Sequence, residues 1–492
     1  MTMGTTKRND DLRFIVIGAG MAGILSGIKL IEAGYSNITI YEKADRIGGT
    51  WRENTYPGLT CDVSSHSYTY TFEPNPEWSH RYPPGEEIQS YFEGVTSKYG
   101  VDKLIVFSEE IVRCEHAAGR WQLELSSGGR DEADVVIAAT GVLHHPNYPD
   151  IAGLDDFEGE LFHSARWDHG VPLDGQRIGL IGNGSTGVQI VSALASRAGE
   201  LYQFQRTAQW IMPSENPAFT EEQKARFRKD PDLMRNMKEE FDSGDGVARF
   251  TNAIIDADSA EMKEIEETVL QNLEEGVADP ELRERLRPTY RAACKRMIFS
   301  PDYYEAIQSP NVELVTAGID RVEGKGVRLE DGRLIELDLL VLATGFKADR
   351  FMRPMDLIGR NGITLEEAWS KRPHAYLSIS IPDFPNFFML NGPNGPVGNF
   401  SLIDIAEHQM VYIEQLIELV RSGRCREVSA SSGAMVRFDA ERIEAAKKTI
   451  WASGCNSWYL DAEGVPASWP FTQKRFHEEM SKPRVEDYDL IG

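Results

Sequence analysis

The sequence predicts an α/β protein made of two Rossmann-like modules, with a helical insertion set into the second. Three observations predict it. A short apolar run, a GxGxxG loop, an apolar helix pattern and a second apolar run follow one another in that order, twice. Each copy is followed by a further apolar run that ends in Ala-Thr-Gly, so the chain repeats itself in architecture. A charged stretch with helix-start signals interrupts the second copy.

In chain order, Arg13 to Ile17 (RFIVI) leads into Gly18, Gly20 and Gly23, then the helix pattern MAGILSGIKLIEAG, then the strand pattern NITIYE ending at Glu42. Val135 to Gly141 (VVIAATG) is its later partner. In the second copy Arg177 to Ile181 (RIGLI) leads into Gly182, Gly184 and Gly187, then VQIVSALASRAGE, then LYQFQR ending at Arg206, with VLATG at Val341 to Gly345. Residues 214–290 are rich in Glu, Lys, Arg and Asp; a capping box at Thr220 (TEEQ) and the Asp279-Pro280-Glu281 start predict a small helical insertion. The expected organisation is therefore residues 1–150 as the first part of one module, 151–345 as the other, and 346–492 as a return to the first with a C-terminal segment packed on it. The longest apolar stretch, Leu402 to Val420, carries Asp404, Glu407, His408, Glu414 and Glu418 at helical spacing, which predicts an amphipathic packed helix and no membrane span.

At 492 residues and 41% hydrophobic, the chain can bury a large core, with room for about three domains. Its 52 basic and 77 acidic residues leave a net charge of −25, which repels a phosphate backbone and excludes nucleic acid as a partner. The N-terminal MTMGTTKRNDDLR has no apolar core, and Gly4 is misplaced for myristoylation, so no secretory signal is expected. The five cysteines, Cys61, Cys114, Cys294, Cys425 and Cys455, form no CxxC, and their scatter and odd number predict reduced thiols in a cytoplasmic protein. The ten histidines show neither HxxxH nor HxH, so no metal is expected.

In a GxGxxG loop the first glycine allows the turn, the second lets backbone approach a pyrophosphate, and the third lets helix and strand pack closely, with the helix N-terminus facing the phosphates. The candidate loop residues are Gly18, Gly20 and Gly23 in the first copy and Gly182, Gly184, Ser185, Thr186 and Gly187 in the second. What ends the second strand separates the copies. Glu42 lies 24 residues after Gly18, and Arg206, followed by Thr207, lies 24 residues after Gly182. A carboxylate accepts hydrogen bonds from free ribose hydroxyls, whereas a guanidinium pairs with a 2′-phosphate. The first module thus suits FAD and the second NADPH, a pairing built for redox chemistry. Pyridine nucleotide disulfide reductases share this plan but need two cysteines beside the flavin, and Cys61 stands alone.

Two segments extend the reading. In GGTWRENTYPGLTCD the residues Gly49, Trp51, Tyr56, Pro57, Gly58 and Asp62, and in FEGELFHSARWD the residues Phe157, Gly159, His163, Trp167 and Asp168, follow the patterns of the Baeyer-Villiger monooxygenases, which this chain resembles over most of its length. Trp167 favours that branch over the N- and S-oxygenating flavin monooxygenases, the alternative reading. The resemblance implies a small-molecule ketone and O2 as reactants, an ester or lactone as product, and a C4a-peroxyflavin on the way. It implies that Arg296 in CKRMIFSPDYY stabilises that anion, with Asp62 holding the arginine, Lys295 on the NADP phosphate, Thr50, Trp51 and Tyr68 on the flavin, and Trp458 of NSWYL near the nicotinamide. An arginine keeps its charge in any pocket, and a fixed cation in a dry site stabilises a developing oxyanion. His163 lies between the modules and is expected to fix their geometry more than to move a proton.

Overall fold

A computed structural model describes residues 11–243 and 246–492, so the reading of the extreme N-terminus lies mainly outside the described residues. Strand β1 (Phe14–Ile17) is buried on both faces, as a central parallel strand must be, and runs into helix α1 (Met21–Glu32) and strand β2 (Ile38–Tyr41). With β3 (Ile105–Val106) and β4 (Val135–Ala138) these make most of one parallel sheet. A second is built from β5 (Glu160–His163), β6 (Arg177–Ile181), helix α2 (Ser185–Leu194) and β7 (Glu200–Phe204).

Among the described residues, five helices fill the predicted insertion: α3 (Glu221–Lys229), α4 (Pro231–Ser243), α5 (Val247–Ile255), α6 (Ala260–Gly276) and α7 (Pro280–Arg285). The capping box at Thr220 and Gln223 forms, and Asp279 caps α7 with Pro280 in its first turn. The chain then adds β8 (Val312–Val315) and β9 (Leu339–Leu342) to the second sheet and β10 (Phe387–Met389) to the first.

The first sheet has the order β10-β4-β1-β2-β3 and the second β5-β9-β6-β7-β8, with parallel pairing throughout. The repetition extends to register. Ile17, before the first glycine loop, faces Ala138 before its Ala-Thr-Gly, and Ile181 faces Leu342 in the same relation. Two like sheets thus place two like loops at the carboxyl ends of their strands, where doubly wound sheets bind ligands.

The C-terminal segment packs on the first module: Phe14, Val16, Ile403, Ile413, Trp469, Phe476 and Tyr488 share one core. Helix α8 (Leu402–Arg421) buries its apolar face there, and no helix among the described residues is long and apolar enough to cross a membrane. The insertion shares a separate core with residues 450–459, where Ile254, Met262, Cys294, Trp451 and Tyr459 meet.

The expectation of free thiols fails for two of the five cysteines. Cys294 and Cys455 form a disulfide across 161 residues, with Cα atoms 6.2 Å apart, while Cys61, Cys114 and Cys425 are free and buried. Spacing along the chain carries no sign of such a pair, because the fold alone brings its halves together.

Candidate active site

Each glycine loop is closed by its own Ala-Thr-Gly. A Cβ on Gly18 (φ +99°) would stand 2.8 Å from the Ala139 carbonyl oxygen, and one on Gly182 (φ +119°) 2.3 Å from that of Ala343. No residue but glycine fits there, which explains why the two motifs travel together. The third glycines set the helices directly on the loops: a Cβ on Gly23 or Gly187 would meet the carbonyl oxygen of Gly18 or Gly182 at 1.8 or 2.3 Å. The middle glycines face space. Gly184 has nothing within 4 Å of a would-be Cβ, and Gly20 meets backbone of Gly49 at 3.5 Å. Neither α1 nor α2 has a side-chain cap, so their first N–H groups remain available for phosphate.

At the end of β2, the buried Glu42 carboxylate accepts from Ala19 N at 2.8 Å and Ala44 N at 3.0 Å and pairs with Arg52 at 3.1 Å. It is fixed beside the first loop, and a carboxylate there can accept hydrogen bonds from hydroxyl groups. At the end of β7, Asn183 of the second loop donates to Gln205 Oε1 and to the Thr207 carbonyl at 2.9 and 2.8 Å, which bracket the exposed Arg206. Lys295 approaches from another segment, its Nζ 4.7 Å above the Tyr290 ring. Burial lowers the basicity of Lys295, and the Arg206 charge lowers it further. Two mutually repelling cations make a site for a dianion such as a 2′-phosphate.

The Tyr-Pro-Gly segment of the first module pegs the helix of the second. Tyr56 donates its hydroxyl hydrogen to Gln189 Oε1 (2.8 Å) and accepts from Thr186 (3.4 Å), and Gln189 Nε2 donates to the Thr60 carbonyl at 3.1 Å. A Cβ on Gly58 (φ +81°) would lie 2.6 Å from the Gln189 carbonyl oxygen. Just beyond, Arg296 donates to Asp62 Oδ2 at 2.5 Å and to the Gly398 carbonyl at 2.7 Å. Their side chains are 28% and 30% exposed. Burial works against the charge of Arg296, but Asp62 and then Tyr459 more than restore it, so the guanidinium is a permanent cation.

Trp51 donates to the Tyr68 hydroxyl at 3.0 Å with the rings edge to face, and Thr50 opens the short helix that carries Trp51. Trp458 is 49% exposed, its ring tilted against that of Tyr459 with centroids 4.1 Å apart. His163 is buried with both ring nitrogens engaged, Nδ1 by Ala165 N and Nε2 by the Gly345 carbonyl, each at 3.1 Å. It braces the linker against the second Ala-Thr-Gly.

Several contacts around these residues carry no signal in the sequence: Arg52 on Glu42, Gln189 under Tyr56, Gly398 on Arg296 and Tyr459 on Gly398. The turn after β10 also holds buried side-chain atoms without partners, Asn391 Oδ1, Asn399 Oδ1 and Ser401 Oγ, with Gln409 Nε2 on α8. Such atoms cost about 1–3 kcal/mol each when unpaired, and the polar edge of a flavin ring offers the partners they lack. No metal motif was expected, and tertiary folding does gather Asp404, His408 and His477. Asp404 is already paired with His477 at 3.0 Å and faces Lys238 at 3.8 Å, so the cluster is a satisfied ion group.

Residues 15–241 match a family model described as pyridine nucleotide-disulphide oxidoreductase. The dithiol that name implies is missing here: Cys61 is alone, and burial pushes its thiol well up. A monooxygenase of Mycobacterium tuberculosis is 45% identical over 96% of this chain and 95% of its own. A Baeyer-Villiger monooxygenase of Streptomyces coelicolor is 35% identical over 98% and 93%. Among solved structures, cyclohexanone monooxygenase from Rhodococcus sp. Phi1 bound to NADP+ superposes with a TM-score of 0.87 at 30% identity, over 98% of this chain and 99% of that one.

Proposed function

The chain belongs to the Baeyer-Villiger monooxygenases, and from that premise we propose that it turns a small-molecule ketone into an ester or lactone with Arg296 as its catalytic cation. It is an FAD- and NADPH-dependent monooxygenase. Bound FAD and NADPH would supply the redox chemistry: two electrons from NADPH, with a proton, for reduction of O2, one atom of which enters the substrate while the other leaves in water.

The residues divide the remaining work. Gly18, Gly20 and Gly23 with the N-terminus of α1 hold the FAD pyrophosphate, and Glu42 accepts from its ribose. Thr50, Trp51 and Tyr68 line the flavin. Gly182, Gly184, Ser185, Thr186 and Gly187 hold the NADPH pyrophosphate at α2, while Arg206, Thr207 and Lys295 receive the 2′-phosphate. Trp458 covers the nicotinamide side. Arg296 supplies fixed positive charge where oxygen is activated, and Asp62 keeps it aimed. Closure of the modules excludes water, which favours oxygen transfer over loss of peroxide.

One observation carries this reading. Arg296 sits in the chain of the second module, yet its guanidinium is held by Asp62 and Gly398 of the first, so a single cation joins both nucleotide sites. The test is a ketone panel assayed for NADPH oxidation, with products identified by mass spectrometry under labelled O2. An ester or lactone carrying one labelled oxygen supports the proposal, and sulfoxide or N-oxide products alone overturn it. Arg296→Ala is expected to lose oxygenated product while NADPH still bleaches the flavin; loss of bleaching would show that the arginine serves reduction.

A further inference from the structure

Asp62 and Gly398 anchor Arg296, and a third residue packs against the second anchor. Tyr459 is buried at 3% exposure. Its hydroxyl lies over Gly398, 2.3 Å from where a Cβ would stand, so only glycine admits it. Tyr459 packs in one core with Cys294 and Met297, on either side of Arg296 in the chain, and its hydroxyl sits on the glycine whose carbonyl the guanidinium holds; phenol and guanidinium are close enough to shift one another's protonation. A ring packed on the Gly398 anchor and on the residues flanking Arg296 limits how far the guanidinium can shift.

The loop that carries Tyr459 lies between Ser453 and the helix α9 (Gln473–Ser481), with no long helix or strand to hold it. A bond from Ala467 N to the Tyr459 carbonyl at 2.7 Å and packing of Trp451 on the Tyr459 ring hold it locally. Its covalent tie is Cys455, joined to Cys294, which is two residues before Arg296. One disulfide therefore binds the segment of the catalytic arginine to the loop that clamps it.

We propose that Tyr459 is a positioning residue for Arg296 and that the Cys294–Cys455 disulfide holds it in reach. A dithiol reductant would give two electrons and two protons to the disulfide, yielding two thiols and the oxidised reductant, and would leave the loop on non-covalent contacts alone. This inference rests on the proposed role of Arg296, and the experiment separates the two.

Holoenzyme is prepared as wild type, Tyr459→Phe and the double variant Cys294→Ser/Cys455→Ser, and wild type is also treated with a dithiol. The share of consumed NADPH that ends as H2O2 is measured with the melting curve. Thiols are titrated in denaturant, and hydrogen exchange is followed over residues 294–297 and 454–460 in FAD-free protein. Tyr459→Phe is expected to raise the ratio of peroxide to oxygenated product about tenfold with an unchanged melting curve, the size of one lost polar contact near a charged group. The double variant should move the ratio in the same direction and speed exchange in those two segments. The thiol count should rise from three to five on reduction.

An unchanged ratio in Tyr459→Phe, with or without a lower melting point, overturns the positioning role. Five thiols before reduction overturn the clamp. If wild type forms no ester or lactone from any ketone, the reading of Arg296 itself fails, whatever the variants do.

Discussion

Arg206 and Lys295 repel one another across a site that only an anion completes, and Glu42 occupies the matching corner of the other module. Burial and the Arg206 charge both lower the basicity of Lys295, and a dianion held between the two cations would offset that repulsion. Replacing Arg206 with Ala should lower kcat/KM for NADPH by about 10- to 100-fold, the range for one charge-assisted contact, and leave NADH nearly unchanged. Steady-state kinetics with both nucleotides check this, and equal losses for the two would place Arg206 away from the 2′ position.

At the scale of elements, close approach of backbone decides the loops. A Cβ on Gly187 would press the Gly182 carbonyl oxygen, so Gly187→Ala should displace the start of α2 and abolish NADP+ retention while FAD stays bound. Flavin absorbance and NADP+ binding by calorimetry separate the two effects. Another element-level effect concerns pH. His66 is buried against Phe219 and Phe227, its Nε2 has no partner, and burial lowers its pKa to about 4. A histidine with a depressed folded pKa contributes stability that is complete above about 6.5 and lost as pH falls towards 4. His66→Leu should therefore flatten the fall in melting temperature between pH 7 and pH 5; an unchanged slope would move the acid-labile group elsewhere.

Across the whole molecule, two modules whose sheets share one order and register meet through many side-chain contacts, among them Tyr56 on Gln189, Thr55 on His169, Tyr82 on Asn216, and Arg296 on Asp62 and Gly398. The first module is completed only when the chain returns through β10 and α8, whose turn leaves Asn391, Asn399 and Ser401 with unpaired atoms. FAD fills a site the unfolded chain lacks, so stripping it should lower the melting temperature and adding it back should restore it, by about 2.7 kcal/mol at a hundredfold excess over Kd. A melting curve blind to FAD would contradict the assignment of those atoms.

The sequence by itself determined the two βαβ units, their paired Ala-Thr-Gly strands, the capped insertion helices, the amphipathic α8 and the opposite charges at Glu42 and Arg206. These are local facts, written in periodicity, in glycine at positions no other residue can fill, and in fixed spacing from loop to strand end. Asp62, Lys295 and Arg296 were legible only through resemblance to a family, since nothing in their spacing announces a contact. Tertiary structure alone decided that Cys294 meets Cys455, that Arg52 reaches Glu42 and Gln189 reaches Tyr56, that Gly398 receives Arg296 with Tyr459 packed on it, and that Asp404 finds His477 and Lys238. Each of those pairs joins residues distant in the chain, and local propensity carries no information about which distant segments packing will bring together.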